Sequence, residues 1–134
     1  MTTEPYKHKE GKLRFDLIPP EMDYAYAQVA TFGIEKLKAC GVKNPERNWE
    51  QGLKLVADHL AAAKRHINSW ERGIDYDEES KIHHLNHALW HLAGMVTQIM
   101  RARVDLDDRM FQTQNPCAQS LISSKDLERV YKGL

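Results

Sequence analysis

Apolar residues at three- and four-residue steps divide the chain into helical stretches. The clearest runs over residues 49–72, where Leu53, Val56, Leu60, Ala63, Ile67 and Trp70 form one stripe. Residues 57–65 are rich in alanine and carry Lys64 and Arg65, all good helix formers. Arg72-Gly73 ends the stretch. A third helix is expected from near residue 76 to about Val104, with Leu85, Leu89, Leu92, Val96 and Ile99 as its stripe. Asp75 followed by Glu78 reads as a capping-box-like start, with Asp in place of Ser or Thr. Upstream, Leu17-Ile18-Pro19-Pro20 forbids a helix through itself and can start one just after. Residues 21–39 then read as the first helix, with Tyr24, Ala27, Phe32, Ile34 and Leu37 apolar and with Gln28 and Gly33 interrupting. Gly41 is its stop, and residues 41–48 are a loop by composition.

Residues 105–123 are polar and irregular, with Asn115-Pro116 as a turn signal. Ser123 or Ser124 can cap a last short helix through Tyr131. The pattern therefore predicts an all-α antiparallel helical bundle. Residues 1–104 form the helical domain, and 105–134 a C-terminal extension whose short helix packs on it.

At 134 residues the chain is long enough for one domain with a sizeable core. Lys+Arg and Asp+Glu both number 19, so formal net charge is zero. That argues against a general binder of polymeric nucleic acid or of a membrane surface. Cys40 and Cys117 are far apart and form no CxxC pattern, so two free thiols are expected, with one disulfide as the alternative. The N-terminus has no apolar signal core, and no apolar run approaches the roughly 18 residues a membrane helix needs. A soluble cytoplasmic protein is the expectation.

Histidine placement adds chemistry to this outline. Four of the seven histidines fall within nine residues, His83, His84, His87 and His91, just after the acids Asp75, Asp77, Glu78 and Glu79. Imidazole and carboxylate together are ligands for a divalent transition metal. The structural alternative is an acid-capped helix start, because the helix dipole favours negative charge there. On a helix Asp77, Ser80, His84, His87 and His91 share about a quarter of the circumference. His59 and His66 lie seven apart on one side of the preceding helix, with the small Ala62 between them. Antiparallel packing across the short connection at 73–75 would face His66 towards His84, with Asp77 and Glu79 at the same end.

Other candidates each have a plain structural alternative. Lys12 and Arg14 alternate and can hold phosphate oxygens, or be a solvated basic pair. Arg65, beside His66, is a phosphate clamp or a surface salt bridge. Asn48-Trp49 can bond and stack on a base, or be an N-cap with a core tryptophan. Neither a P-loop nor GxGxxG is present.

The ordered set of motifs has a family likeness. Gly11-Lys12-Leu13-Arg14-Phe15-Asp16-Leu17-Ile18-Pro19-Pro20 comes first, then Thr31-Phe32-Gly33-Ile34-Glu35-Lys36. Arg47-Asn48-Trp49-Glu50-Gln51-Gly52 and Arg65-His66 follow. Asp77-Glu78-Glu79-Ser80 and His84-Leu85-Asn86-His87-Ala88-Leu89-Trp90 complete the series. Over residues 9–100 the chain resembles the phage-type dATP/dGTP diphosphohydrolases, relatives of the MazG-like all-α nucleotide pyrophosphohydrolases. The resemblance implies a MazG-like bundle completed as a homodimer or homotetramer, in host cytoplasm if phage-encoded. It implies metal-dependent hydrolysis of a purine deoxynucleoside triphosphate to monophosphate and pyrophosphate, with dGTP favoured and dATP the other candidate.

Matched positions are Lys12, Arg14, Asp16, Glu35, Asn48, Trp49, Glu50, Arg65, His66, Asp77, Glu79, His84 and His87. The implied roles are catalysis by Glu79, Asp77 and His66. Mn²⁺ or Mg²⁺ would be held by Asp77, Glu79, His84, His87, Glu35 and Glu50. Substrate would be bound by Lys12, Arg14, Asn48, Trp49 and Arg65. The chain departs from the family in two ways. Lys81 and His83 stand where Gly and Pro are expected. The MazG acid pattern, ExxE followed by ExxD, is absent, since Glu35 is followed by Lys38 and Glu50 by Leu53.

Two rivals remain. An HD-type triphosphohydrolase needs an adjacent His-Asp doublet, whereas this chain has only the reverse, Asp58-His59. The second is a non-enzymatic helical module with a structural metal.

Overall fold

The computed structural model describes residues 5–7 and 10–111. The expected helix near Tyr131 and Cys117 lie outside them, whereas Cys40 is a free, exposed thiol. Three α-helices make the frame: α1 Pro20–Ala39, α2 Ala61–Glu71 and α3 His84–Met100. Short 3₁₀ turns at Phe15–Leu17, Pro45–Gln51 and Val104–Leu106 join and flank them. The described residues are all-α, apart from one isolated bridge between Tyr76 and His83. No helix among them is long and apolar enough to cross a membrane.

α1 follows the double proline as expected, with Pro20 in its first turn and Lys36 and Lys38 in its last. It buries Ala25 and Val29, while Tyr24 is 69% exposed. Gln28 does not merely interrupt the apolar face: its Oε1 accepts from Asn86 Nδ2 at 3.1 Å, tying α1 to α3.

The expected 49–72 helix is two pieces. Trp49 sits in the Pro45–Gln51 turn, and the chain breaks at Gly52. Leu55–Leu60 is then a single π-helical turn leading into α2. His59 N–H donates to Lys54 O at 3.1 Å, five residues back. Asp108 closes the start of this turn, accepting from Val56 N–H and Ala57 N–H at 2.6 and 2.9 Å. Leu106, 1% exposed, anchors that segment in the core.

The third helix starts eight residues later than the sequence indicates. Residues 75–83 are a tight turn, not its first turns. Asp77 N–H donates to Ile82 O and Lys81 N–H to Asp77 O, both at 2.8 Å. The capping box of Asp75 and Glu78 therefore does not form, although the Asp75 carbonyl accepts from His84 N–H at 2.8 Å. His83 is the N-cap, its Nδ1 accepting from Leu85 N–H at 3.0 Å. The box of Asp75 and Glu78 fails because the Asp77 side chain, bonded to Ser80, closes the following residues into a local turn instead of a helix.

α2 and α3 pack antiparallel, as expected: His59 meets His91 at one end and His66 meets His84 at the other. The histidine edges face one another as expected, but the apolar stripe beside them does not pack inward. α3 buries His84, His87, Ala88, Gly94 and Gln98. Leu85, Leu92, Val96 and Ile99 of the apolar stripe are exposed.

Candidate functional site

The 75–83 turn and the inner faces of α2 and α3 build one polar centre. Asp77 Oδ2 accepts from Ser80 N–H at 2.9 Å and Ser80 Oγ–H at 2.8 Å. Ser80 Oγ also lies 2.7 Å from His87 Nε2 and accepts from Ile82 N–H at 3.1 Å. The hydroxyl has one proton, and an ionised carboxylate can only accept. The proton therefore goes to Asp77, so His87 carries its own on Nε2. Burial pushes the Asp77 carboxyl up, but the two Ser80 bonds outweigh it and hold it below the ordinary carboxylate range.

Facing this turn, His66 Nδ1 lies 2.8 Å from His84 Nδ1. The His66 ring stacks on His87 at 4.5 Å between centroids and 8° between planes. Burial, with His87 and His84 adding repulsion, pulls His66 down to about 4. His87 is lowered too, chiefly by burial. The His66 and His87 rings are thus neutral at pH 7, the form that ligates metal.

His66, Asp77 and His84 each offer a ligand atom, all within 4.8 Å of one another. Two imidazoles and one carboxylate suit a divalent cation such as Mn²⁺, and three protein ligands leave positions open for water or substrate. The donor set fits a metal on a second count: the facing nitrogens of His66 and His84 can meet only across a shared proton, which a cation can replace. His66 and Asp77 line a cavity of about 230 Å³ with His87, Lys36, Glu79 and His91.

Deeper in the α2–α3 interface, His59 is 0% exposed. Its Nδ1 lies 3.1 Å from His91 Nδ1, and its Nε2 has no partner. His91 is pulled down to about 4, mainly by burial and then by His59 and His66. The His59 ring rests on Gly94, where a Cβ would lie 2.8 Å from His59 Cε1.

The other sequence candidates are spread out. Glu79 lines the cavity but pairs with Lys36 at 2.9 Å. Glu35 is exposed and pairs with Lys38 at 3.5 Å. Glu50 belongs to a second cavity, about 450 Å³, where it pairs with Arg101 at 3.2 Å and Arg47 at 3.1 Å. Trp49 lines that second cavity, and Asn48 is half-buried beside it in the chain. Arg65 is exposed on α2 beside His66. Lys12 is exposed, and Arg14 is engaged by Asp16 at 2.7 Å.

Ser80 and Lys36 are the residues that sequence reasoning left out. Ser80 shared an arc with the histidines on a helix that does not form, and it reaches His87 by the turn instead. Lys36 gave no signal beyond its place in Thr31-Phe32-Gly33-Ile34-Glu35-Lys36.

Fold and site together define an all-α protein with a histidine–carboxylate centre between two antiparallel helices. The chain belongs to the family described as dATP/dGTP diphosphohydrolase, N-terminal, whose model matches residues 3–109. It is similar to a protein of Salmonella phage PMBT28 named dATP/dGTP diphosphohydrolase, with 32% identity over 110 residues. That match covers 82% of this chain and 34% of the relative, so the chain spans about a third of its length. No solved structure matches the chain.

Proposed function

We propose that this chain carries a metal-dependent nucleotide diphosphohydrolase centre. It would split a purine deoxynucleoside triphosphate, dGTP in preference to dATP, into monophosphate and pyrophosphate. The observation that carries this is the convergence of His66, His84 and Asp77, beside a cavity that His66 and Asp77 line with Lys36. The relative's name supports the substrate class.

His66, His84 and Asp77 would hold Mn²⁺ or Mg²⁺, with His87 kept in place by Ser80. A bound divalent cation there supplies charge neutralisation on phosphate oxygens and acidifies a coordinated water. Lys36 and Arg65 add positive charge for the phosphates. Water attacks the α-phosphorus, the bond to the bridging oxygen breaks, and pyrophosphate leaves. Asp77 and Glu79 are the carboxylates, and neutral His66 the imidazole, placed to orient that water or accept its proton. Asn48 and Trp49 would bound the base.

Self-association belongs to the same reading. The exposed Leu85, Leu92, Val96 and Ile99 lie along one line of α3, a self-complementary apolar strip that a second copy would cover in a homodimer or homotetramer.

The rival reading is a non-enzymatic helical module in which the same His66, Asp77 and His84 hold a structural metal. One experiment separates these. Purified protein is incubated with dGTP, dATP, GTP and dCTP, with Mn²⁺, Mg²⁺ or chelator, and products are identified. Metal-dependent pyrophosphate is the expected product. Intact triphosphate would point to HD-type chemistry. Absence of any product, with tightly bound metal whose removal unfolds the chain, would establish the structural module.

A further inference from the structure

The larger cavity takes no part in the centre just described. At about 450 Å³ it falls within the range of ordinary small-molecule pockets, about 300–1,000 Å³. Its charged walls cancel, Glu46 and Glu50 against Arg47 and Arg101. A triphosphate would meet no net positive field there. A flat, neutral ring system would find suitable walls. Trp49 and Trp90 both line the space and stand edge-to-face at 5.8 Å. Bases stack on indole faces with little regard to sequence.

The two cavities have Gly33 and Trp90 in common. Gly33 lies within α1, where glycine costs helix stability relative to alanine. A Cβ at that position would meet nothing within 4 Å. No neighbour demands glycine, and the space beside it lies at the wall that the neutral and polar cavities share.

Glu50 gives the larger cavity a specific edge. Its carbonyl is pinned by Gln98 Nε2 at 3.3 Å and an Arg103 guanidinium nitrogen at 3.1 Å. Burial pushes its carboxyl up, but Arg101 and Arg47 outweigh this and hold it below the ordinary range. An ionised carboxylate only accepts hydrogen bonds. Guanine presents two adjacent donors, N1–H and the 2-amino group. The matching edge of adenine presents one donor and an acceptor, whose lone pair would face the carboxylate.

We propose that the larger cavity seats the nucleobase of a ligand whose phosphates pass Gly33 to reach His66, Asp77 and His84, and that Glu50 selects guanine over adenine. The assignment rests on the proposed chemistry of the smaller cavity.

The test uses the full chain carrying Trp70→Phe, so that only Trp49 and Trp90 fluoresce. Deoxyguanosine monophosphate should quench them without metal, and pyrophosphate should not. Gly33→Leu should weaken that binding at least tenfold and lower kcat/KM for dGTP equally, while Mn²⁺ affinity is kept. Gly33→Ala, with a small group and a better helix former, should fold at least as stably and lie between the two. Glu50→Gln, which carries both a donor and an acceptor, should lower the dGTP-to-dATP ratio of kcat/KM at least tenfold. Quenching by pyrophosphate instead of the nucleotide would make the cavity a phosphate seat and overturn the assignment. Unchanged nucleotide affinity in Gly33→Leu would overturn it too, and an unchanged base ratio in Glu50→Gln would remove Glu50 as selector. Turnover without a Gly33→Leu effect sinks the seat and leaves the hydrolytic reading. Binding that responds to Gly33→Leu without any wild-type turnover does the reverse.

Discussion

The Ser80 hydroxyl has one proton and three neighbours, Asp77, His87 and Ile82 N–H. It orders both Asp77 and His87 without being a ligand itself. Outer partners of this kind typically cost about 10–100-fold in metal affinity when removed. Ser80→Ala should show such a loss in calorimetric Mn²⁺ titration, with Ser80→Thr restoring part of it; equal affinity in all three would remove Ser80 from the site. Gly94 is a second decisive residue. Gly94→Ala places a Cβ against a ring with nowhere to go. Overpacking of about 1–3 kcal/mol outweighs a helix-propensity gain of at most about 1 kcal/mol. A lower urea midpoint is expected; an unchanged one would mean that the His59 ring yields. The histidines also set the pH response. His66 and His91 titrate near 4 when folded, against about 6.5 unfolded. Between these values the unfolded chain binds more protons, so stability rises with pH there. It is fully present above about pH 6.5 and is lost as pH falls towards 4. Thermal melts of metal-free protein from pH 8 to 4 should show that slope, and a flat profile would contradict it.

At the scale of elements, the 75–83 turn carries a visible strain. Lys81 sits at φ 63°, in the left-handed region. Family resemblance leads one to expect Gly there, which adopts this region without a Cβ penalty. Lys81→Gly should therefore raise the melting temperature, by up to about 1 kcal/mol of stability; a fall would mean that the lysine side chain makes a contact worth more than the strain. His83, at φ −57°, likewise has the backbone a proline would take. The sequence could not place α3's start, because acids before an apolar run suit both a helix cap and a locally bonded turn. Only the partners of Asp77 decide between them. Helix α1 was legible, since Pro19-Pro20 and the Ala39–Gly41 end act locally. The π turn at Leu55–Leu60 was not: it shifts the helical face and carries His59 from the stripe's edge into full burial.

Among the described residues, two cavities share Gly33 and Trp90 in their walls, and one apolar strip is left on the outer side of α3. Val96, 55% exposed in the middle of that strip, is the place to test self-association. Val96→Lys should shift the chain to a smaller species in analytical ultracentrifugation with its helical spectrum intact. A wild-type chain that is already monomeric would refute the covered strip.

What the sequence determined by itself is local or periodic. It contains the all-α class, α1, the antiparallel pairing of α2 with α3, and the meeting of His66 with His84 near Asp77. A short connection between two amphipathic segments leaves them few other ways to pack. That the histidine face is buried in place of the apolar stripe, and not beside it, was decided only by the tertiary structure. Period alone marks two faces, one apolar and one histidine-rich, and does not say which is buried. His59, His66 and Ser80 provide polar partners for His91, His84 and His87, so the histidine face can be buried at modest cost. Among the described residues the apolar stripe stays outside. The separation of Glu35 and Glu50 from the metal-capable group has the same origin. Their positions depend on where α1 and the Pro45–Gln51 turn dock, and that is set by long-range contacts which no spacing along the chain records.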